Sequence, residues 1–394
     1  MTAEYRPQLW VLTDQFGVDS QTWLWRQTCG FARLRTHVVT AERLAPERFP
    51  LCPGVSLSLN ATLGPPSDDL RRWLRRAGRL RHGNFLGLSR RQGRILDAIA
   101  TQRPPAVLLA HFGHMVVRFQ PWATRRAVPL VGHFHGLDLS SSLRNNRWYR
   151  ASLVRALPHL SAAVIVGSHQ RELLLDLGMP ESRVHLIPCG VPVESFPPRV
   201  PHTGTEARFI AVSRLVPSKG LDLTIRAFAR VFEEVSSAEL VIIGEGRERQ
   251  GLQELAASLG AGEAVTFRGS LPPDAVGAEL RRASVFLQHS LARGGSEEGF
   301  GISITEAAVT GLPIVASRCG GIPDQVTDGT TGFLIEQGDV EGMAARMRQL
   351  VEDPYLRNTL GDGARMQALE RFDAAKQIRE LERLLINADA EAAA

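Results

Sequence analysis

Short β-branched and leucine-rich runs alternate with longer amphipathic stretches along the chain, the pattern of an α/β protein built on parallel sheets. In the first half these runs predict strands at Gln8–Asp14, Thr36–Ala41, Ala106–His111, Pro129–His135, Ala162–Ser168 and Val184–Cys189. Helical periodicity falls between them, as over Gln21–Phe31, Asp68–Arg79 and His169–Gly178. The second half repeats the scheme, with strands at Arg208–Ser213, Glu239–Gly244, Ala264–Gly269, Ala283–His289, Pro313–Ser317 and Gly332–Ile335. Helices follow most of these, including Leu221–Glu234 and Ile302–Thr310, and from Val340 onward the pattern is helical throughout, over Val340–Glu352, Tyr355–Phe372 and Ala374–Asn387. Gly190–Glu206 carries Pro192, Pro197, Pro198 and Pro201 without a hydrophobic period, so it reads as an interdomain linker.

Two doubly wound domains of this kind, facing each other, would enclose a deep cleft at the carboxyl ends of both sheets, where ligands of such folds bind. A chain of 394 residues is long enough for two cores. Its apolar runs are strand-sized, far below the ~18 residues of a membrane span. Glu4, Arg6, Asp14 and Asp19 interrupt any secretory pattern near the start, so the cytosol is the expected compartment. Cys29, Cys52, Cys189 and Cys319 lie far apart with no CxxC pair, which predicts buried small side chains rather than disulfides or a zinc cage.

The net charge of +5 hides an asymmetry: residues 1–200 carry +13 and residues 201–394 carry −8. Nine arginines fall between Arg71 and Arg94, either a solvated helix face or an anion-seeking surface that suits anionic lipid head groups or a phosphorylated acceptor. Trp73 and Phe85 are the only aromatics there, too few to stack bases, so nucleic acid is not an expected partner.

The densest candidate chemistry is the run from Ser296 to Ala307. Glu298 and Glu306 are separated by Gly299, Phe300 and Gly301, a turn leading into an amphipathic helix. Carboxylates accept hydrogen bonds from sugar and ribose hydroxyls, and a glycine turn at a helix start can offer backbone N–H groups to a ligand. Glu298 is expected at the helix entrance and Glu306 about two turns in. Upstream, Arg214 and Lys219 sit in the loop after the first strand of the second half, two cations suited to a diphosphate. Gly244 and Gly246 form a further turn after a strand. In the first half, His135 lies where a strand empties into the expected cleft, able to hydrogen-bond a hydroxyl or exchange a proton. His111, His114 and His133 are nearby. His133 and His135 are taken to point to opposite faces of their strand, which argues against a shared metal ion. No D-x-D pair occurs, so a metal-clamped diphosphate is not expected and Arg214, Lys219 and backbone amides would neutralise the leaving group.

These residues resemble the retaining glycosyltransferases of family 4, with the GT-B fold: two Rossmann-like domains facing a cleft, with C-terminal helices crossing back to the first. The resemblance rests on Ser213–Leu215 through Lys219-Gly220, Ile242–Gly246, Val265–Gly269, Phe286–Ser290, Glu298–Gly301 with Glu306-Ala307, Gly311–Val315, Gly320–Pro323 and Asp328–Gly332. In the first half Ser168, Ile187–Val191 through Phe196, His111–Gly113 and His135–Asp138 also match, most like the exopolysaccharide-biosynthesis branch. Residues 1–195 would hold the acceptor, 196–372 the nucleotide sugar, and 373–394 would return to the first domain. The resemblance implies that Arg214 and Lys219 bind the donor diphosphate and Glu306 the ribose. Glu298, with the amides of Gly299, Phe300 and Gly301, would meet the transferred sugar, and His135 would meet it from the opposite domain. The backbone near Gly269–Leu271 would face the base. Gln15, Phe16, Ser20, Thr22 and Asp138 would lie on the acceptor side. The implied activity is transfer of a sugar from a nucleotide diphosphate sugar to a glycan, lipid-linked or small-molecule hydroxyl, with retention, without metal or other cofactor, and with peripheral membrane docking through arginines 71–94. A sugar-nucleotide epimerase or a catalytically silent binder of the same fold are the alternatives. A phosphorylase is disfavoured because only Lys219 and Lys376 could hold pyridoxal phosphate.

Overall fold

A computed structural model describes residues 6–18, 21–60, 87–136, 138–200 and 207–393. The chain divides into two compact units, residues 1–188 with 374–394, and residues 189–373.

In the first unit seven parallel strands are ordered β3-β2-β1-β4-β5-β6-β7. They are β1 (Gln8–Phe16), β2 (Arg35–Arg43), β3 (Ser56–Leu59), β4 (Val107–His111), β5 (Leu130–Phe134), β6 (Ala162–Ile165) and β7 (Val184–Leu186). All but β3 were legible as apolar runs, because parallel strands covered on both faces need apolar side chains throughout. β3 reads Ser-Leu-Ser-Leu and lies half-exposed at the sheet edge, so no such demand falls on it. The helices are α1 (Thr22–Gly30), α2 (Arg90–Gln102), α3 (Gly113–Arg125), α4 (Ser141–Asn145), α5 (Arg147–Ala156) and α6 (His169–Asp176). Trp10 of β1 stacks on Trp122 of α3 with ring centroids 5.5 Å apart, which locks α3 over the sheet. α2 starts on a capping box: Ser89 Oγ accepts the Gln92 N–H, and Gln92 Oε1 accepts the Ser89 N–H. The helix expected at Asp68–Arg79, and the arginines from Arg71 to Arg81, lie outside the described residues.

The second unit carries a six-stranded parallel sheet ordered β10-β9-β8-β11-β12-β13. Its strands are β8 (Arg208–Val212), β9 (Glu239–Ile243), β10 (Val265–Gly269), β11 (Val285–Gln288), β12 (Ile314–Ser317) and β13 (Gly332–Ile335). Around them lie α7 (Leu221–Phe232), α8 (Arg249–Ser258), α9 (Pro273–Arg282), α10 (Ile302–Thr310), α11 (Val340–Glu352) and α12 (Pro354–Arg371). The last helix, α13 (Ala374–Ala393), belongs to the first unit. There the buried Glu382 accepts the backbone N–H groups of Arg33 (2.6 Å) and Leu34 (3.2 Å), and Ile378 packs against Gly30 at the end of α1.

Two expectations are overturned. Cys29 and Cys52 form a disulfide, with Cα atoms 5.5 Å apart. They are distant in sequence, but α1 is carried against the segment after β2, where Trp25 packs on Phe49 and donates to the Pro50 carbonyl. Cys189 and Cys319 are free and buried. The proline-rich segment is also no simple linker, since residues 189–200 belong to the second unit. Val191 donates to the Phe372 carbonyl, Phe196 is buried, and Arg199 is drawn into the end of α10. Arg199 Nε donates to the Gly311 carbonyl at 2.7 Å and Nη2 to Asn358 at 2.9 Å. A guanidinium there satisfies a helix-terminal carbonyl that would otherwise be buried bare.

Replacing Arg199 by Ala should therefore lower unfolding stability by roughly 2–4 kcal/mol in urea titration. A segment acting only as a tether would tolerate the change within about 0.5 kcal/mol.

Candidate active site

In the second unit, connections leave β8 and β11 in opposite directions although the strands are neighbours. The carboxyl ends of such a pair form the crevice where ligands of open α/β sheets bind. The loop after β8 carries Arg214, a 3₁₀ turn at Pro217–Lys219 and Gly220 before α7. The loop after β11 carries His289 and Ser290, then reaches Glu298 before α10. The two loops are joined: the Leu291 N–H donates to the Ser218 carbonyl at 2.8 Å.

Glu298 is the centre of this arrangement. Its side chain is 11% exposed, and one oxygen, Oε2, accepts from the Lys219 ammonium, from Gln288 Nε2 at 2.9 Å and from Ser290 Oγ at 3.1 Å. Burial pushes its carboxyl up, but the Lys219 charge, the hydrogen bonds from Lys219 and Ser290 and the Arg214 charge outweigh this and hold it below its ordinary value. The backbone is pinned as well. The Gly321 N–H donates to the Glu298 carbonyl at 2.9 Å, and Gly320, at φ +54°, approaches so closely that a Cβ would lie 2.0 Å from that oxygen. Gln288 and Ser290 complete this arrangement, and nothing in their local sequence singles them out. Their run, Phe286–Ser290, was noted as family-like without a role, and only the fold turns the two side chains toward Glu298.

Arg214 is exposed and Lys219 half-buried. Gly244, at φ +135°, is required by the protein's own backbone, because a Cβ there would sit 1.9 Å from the Ser213 carbonyl oxygen. Its N–H donates to the carbonyl of Gly269 at the end of β10, and Leu215 donates to Glu245, with exposed Gly246 following. Leu271, half-buried, lies two residues beyond. The glycine turn, the Arg214 loop and the end of β10 thus occupy one edge of the sheet. Gly299 and Phe300 are buried, and Gly301, at φ +83°, caps α10, whose amino end brings a partial positive charge to the same edge. Since α10 begins at Ile302, Glu298 lies four residues before the helix and half-buried Glu306 only one turn into it, not two.

In the first unit, His111 ends β4 and pairs in register with His133 of β5. The expectation that His133 and His135 diverge is wrong, because positions two apart share a face of a strand. The two rings lie 4.2 Å apart between centroids, and His111 Nδ1 lies 3.1 Å from His135 Nε2. Trp23 stacks on His135 at 3.9 Å. Burial holds His133 down to about 3, and burial together with neighbouring imidazoles holds His111 and His135 well below the ordinary histidine range. All three are neutral at physiological pH.

Asp138 is buried, and its carboxylate accepts the N–H groups of His135 (3.0 Å), Gly136 (2.9 Å) and Gly113 (3.0 Å). It is a clamp between the end of β5 and the start of α3 rather than a group offered to an acceptor. Phe16 is fully buried in the core and is likewise no acceptor contact. Gln15 is exposed and donates to Glu42, Thr22 is half-buried at the start of α1, and Ser20 lies outside the described residues.

Residues 34–195 match the family described as Glycosyltransferase Family 4, and residues 193–367 match Glycosyl transferases group 1. The chain belongs to the family 4-like glycosyltransferases. Its fold is GT-B: HepE of Anabaena, solved with UDP, matches with a TM-score of 0.74 at 18% identity, over 97% of this chain and 100% of that one. Sucrose-phosphate synthase of Thermosynechococcus elongatus matches with a TM-score of 0.76 at 18% identity and the same coverage. Among sequence relatives, the GDP-mannose-dependent alpha-(1-6)-phosphatidylinositol monomannoside mannosyltransferase of Mycolicibacterium smegmatis is 30% identical over 257 residues. That match spans 62% of this chain and 66% of the relative.

Lys219→Ala should cost about 3 kcal/mol at neutral pH, the cost of leaving a buried carboxylate without its partner. Because Glu298 is held below its ordinary value of 4.5, its pairing contributes fully above that pH and is lost as pH falls through the lowered value. Variant and wild type should therefore converge in stability in acid, which denaturant titration at neutral and acid pH will read directly.

Proposed function

We propose that this protein transfers a sugar from a nucleotide diphosphate sugar to a hydroxyl acceptor in polysaccharide or glycoconjugate synthesis, with retention of anomeric configuration and without a divalent ion on the diphosphate. The observation that carries this reading is the buried Glu298 carboxylate, held by Lys219, Gln288 and Ser290 beside Arg214 at the crevice of the second sheet. Lys219 and Arg214 would pair with the diphosphate, the α10 amides would add partial positive charge, and Glu298 and Glu306 would accept sugar and ribose hydroxyls. Supporting the donor class, the Mycolicibacterium relative is GDP-mannose-dependent and HepE was solved with UDP.

In the reaction proposed, the bond from the anomeric carbon to the diphosphate oxygen breaks while the acceptor oxygen bonds that carbon from the same face. The acceptor proton passes to the leaving phosphate oxygen, so no side-chain nucleophile is needed. The positive groups at the crevice stabilise the charge that develops on the leaving group. His135 is read as the residue of the first unit that meets the substrate.

The acceptor is read as an anionic molecule at a membrane surface. A cavity of about 650 Å³ in the first unit is lined by Arg90, Arg94, Arg118 and Arg125 with a single acid, Asp97. Arg90, Arg91 and Arg94 are exposed on the first turns of α2, and the mannosyltransferase relative acts on a phosphatidylinositol glycoside.

A panel of nucleotide sugars should contain one that raises the melting midpoint, with stabilisation near 2.7 kcal/mol at about 100 times Kd. Glu298→Gln should lower kcat at least about 100-fold with that donor, the product should keep the donor's anomeric configuration by NMR, and EDTA should not slow it. No shift across the panel, or wild-type turnover by Glu298→Gln, would overturn the reading; binding without turnover would leave a silent sugar-nucleotide binder.

Co-sedimentation with anionic vesicles should fall with salt and weaken on replacing Arg90, Arg91 and Arg94 by Ser. Binding indifferent to both would remove the membrane role.

A further inference from the structure

We propose that His111, His133 and His135 form a binding site for one transition-metal ion of the Zn²⁺ class, with the fourth position open to water. One ligand nitrogen from each ring lies within 4.8 Å of the others. Around a tetrahedral ion with Zn–N bonds of about 2.0–2.1 Å, ligand nitrogens stand roughly 3.3 Å apart. The 3.1 Å approach of His111 Nδ1 and His135 Nε2 is already at that spacing, and a His133 nitrogen lies within 4.8 Å of both.

The sheet enforces this convergence. His111 and His133 are register partners on adjacent parallel strands, and His135 follows His133 on the same face. His111 and His133 are 0% exposed, yet both ring nitrogens of His133 and Nε2 of His111 lack hydrogen-bond partners. An unsatisfied buried polar group costs about 1–3 kcal/mol, which packing against Trp23 does not return. Coordination through one nitrogen of His133 would give that ring, which has neither nitrogen paired, a partner. Half-buried His135 supplies the edge through which an ion could enter. The buried Asp138 carboxylate, hydrogen-bonded to the His135 backbone, adds negative charge close by without being a ligand. An all-imidazole set selects zinc, copper, nickel or cobalt over magnesium and calcium.

This site is distinct from the diphosphate chemistry of the second unit. On the functional reading above, an ion here would occupy His135 and so oppose transfer, but the test reads the metal itself and holds whether or not the chain transfers sugar.

Full-length protein freed of metal with EDTA is titrated with Co²⁺ and followed by visible d–d absorption. The expected result is one equivalent bound with the intense bands of four-coordinate cobalt. His133→Leu, checked for folding by circular dichroism, should weaken binding by at least about 100-fold, since loss of mere outer-shell partners already costs 10–100-fold. His114→Ala, which alters the separate histidine paired with Asp14, should leave binding unchanged. Absence of binding, binding that survives His133→Leu, or binding lost in His114→Ala overturns the proposal and leaves the cluster as aromatic packing. Should His133→Leu fail to fold, X-ray absorption of the zinc-loaded wild type decides: three imidazoles support the site, one or none rejects it.

Discussion

The second unit is organised around one largely buried ion pair. Lys219 arrives on the loop after β8 and Glu298 on the loop after β11, so their contact ties together the two connections that leave neighbouring strands in opposite directions. Neither charge could remain so poorly solvated alone. The carboxylate is held by neutral surroundings too: Gln288 and Ser290 on its oxygen, and the glycine pair Gly320-Gly321 behind its backbone. The pair therefore does structural work in the resting protein while keeping a cation and a carboxylate poised at the crevice. Such preorganised charge is what stabilising a departing phosphate requires, since it needs little rearrangement at the moment of reaction.

The first unit uses a different device at the corresponding edge of its sheet. Asp138 gathers three backbone N–H groups from the end of β5 and the start of α3, holding the His135 backbone in place. Phe112, between His111 and Gly113, adopts φ +71°, an uncommon conformation for an aromatic residue that costs about 1–3 kcal/mol and persists only where the surroundings impose it. This strained residue lies directly beside the three converging imidazoles.

The two units also differ in charge. The positive excess of the first half agrees with the arginine-lined cavity there, whereas in the second half acids outnumber the cations, of which Arg214 and Lys219 stand at the crevice.

Much was legible in the amino-acid order alone. Burial of parallel strands on both faces demands continuous apolar runs, so twelve of the thirteen described strands could be read directly, and only the edge strand Ser56–Leu59 escaped. Arg214, Lys219, Glu298 and Glu306 were legible because charged residues beside glycine turns at strand ends have a narrow range of uses. What no local pattern carried was which distant segments meet. The Cys29–Cys52 bridge, the capture of Arg199 by the end of α10, the role of Gln288 and Ser290 and the burial of Phe16 all arise from strand order and helix packing. The convergence of His133 and His135 was implicit in the two-residue period of a strand, but His111 joined them only through the register of β4 against β5. Local sequence determines the elements through short-range sterics and burial; the tertiary structure alone decides which separate segments touch, because these contacts depend on how whole elements pack.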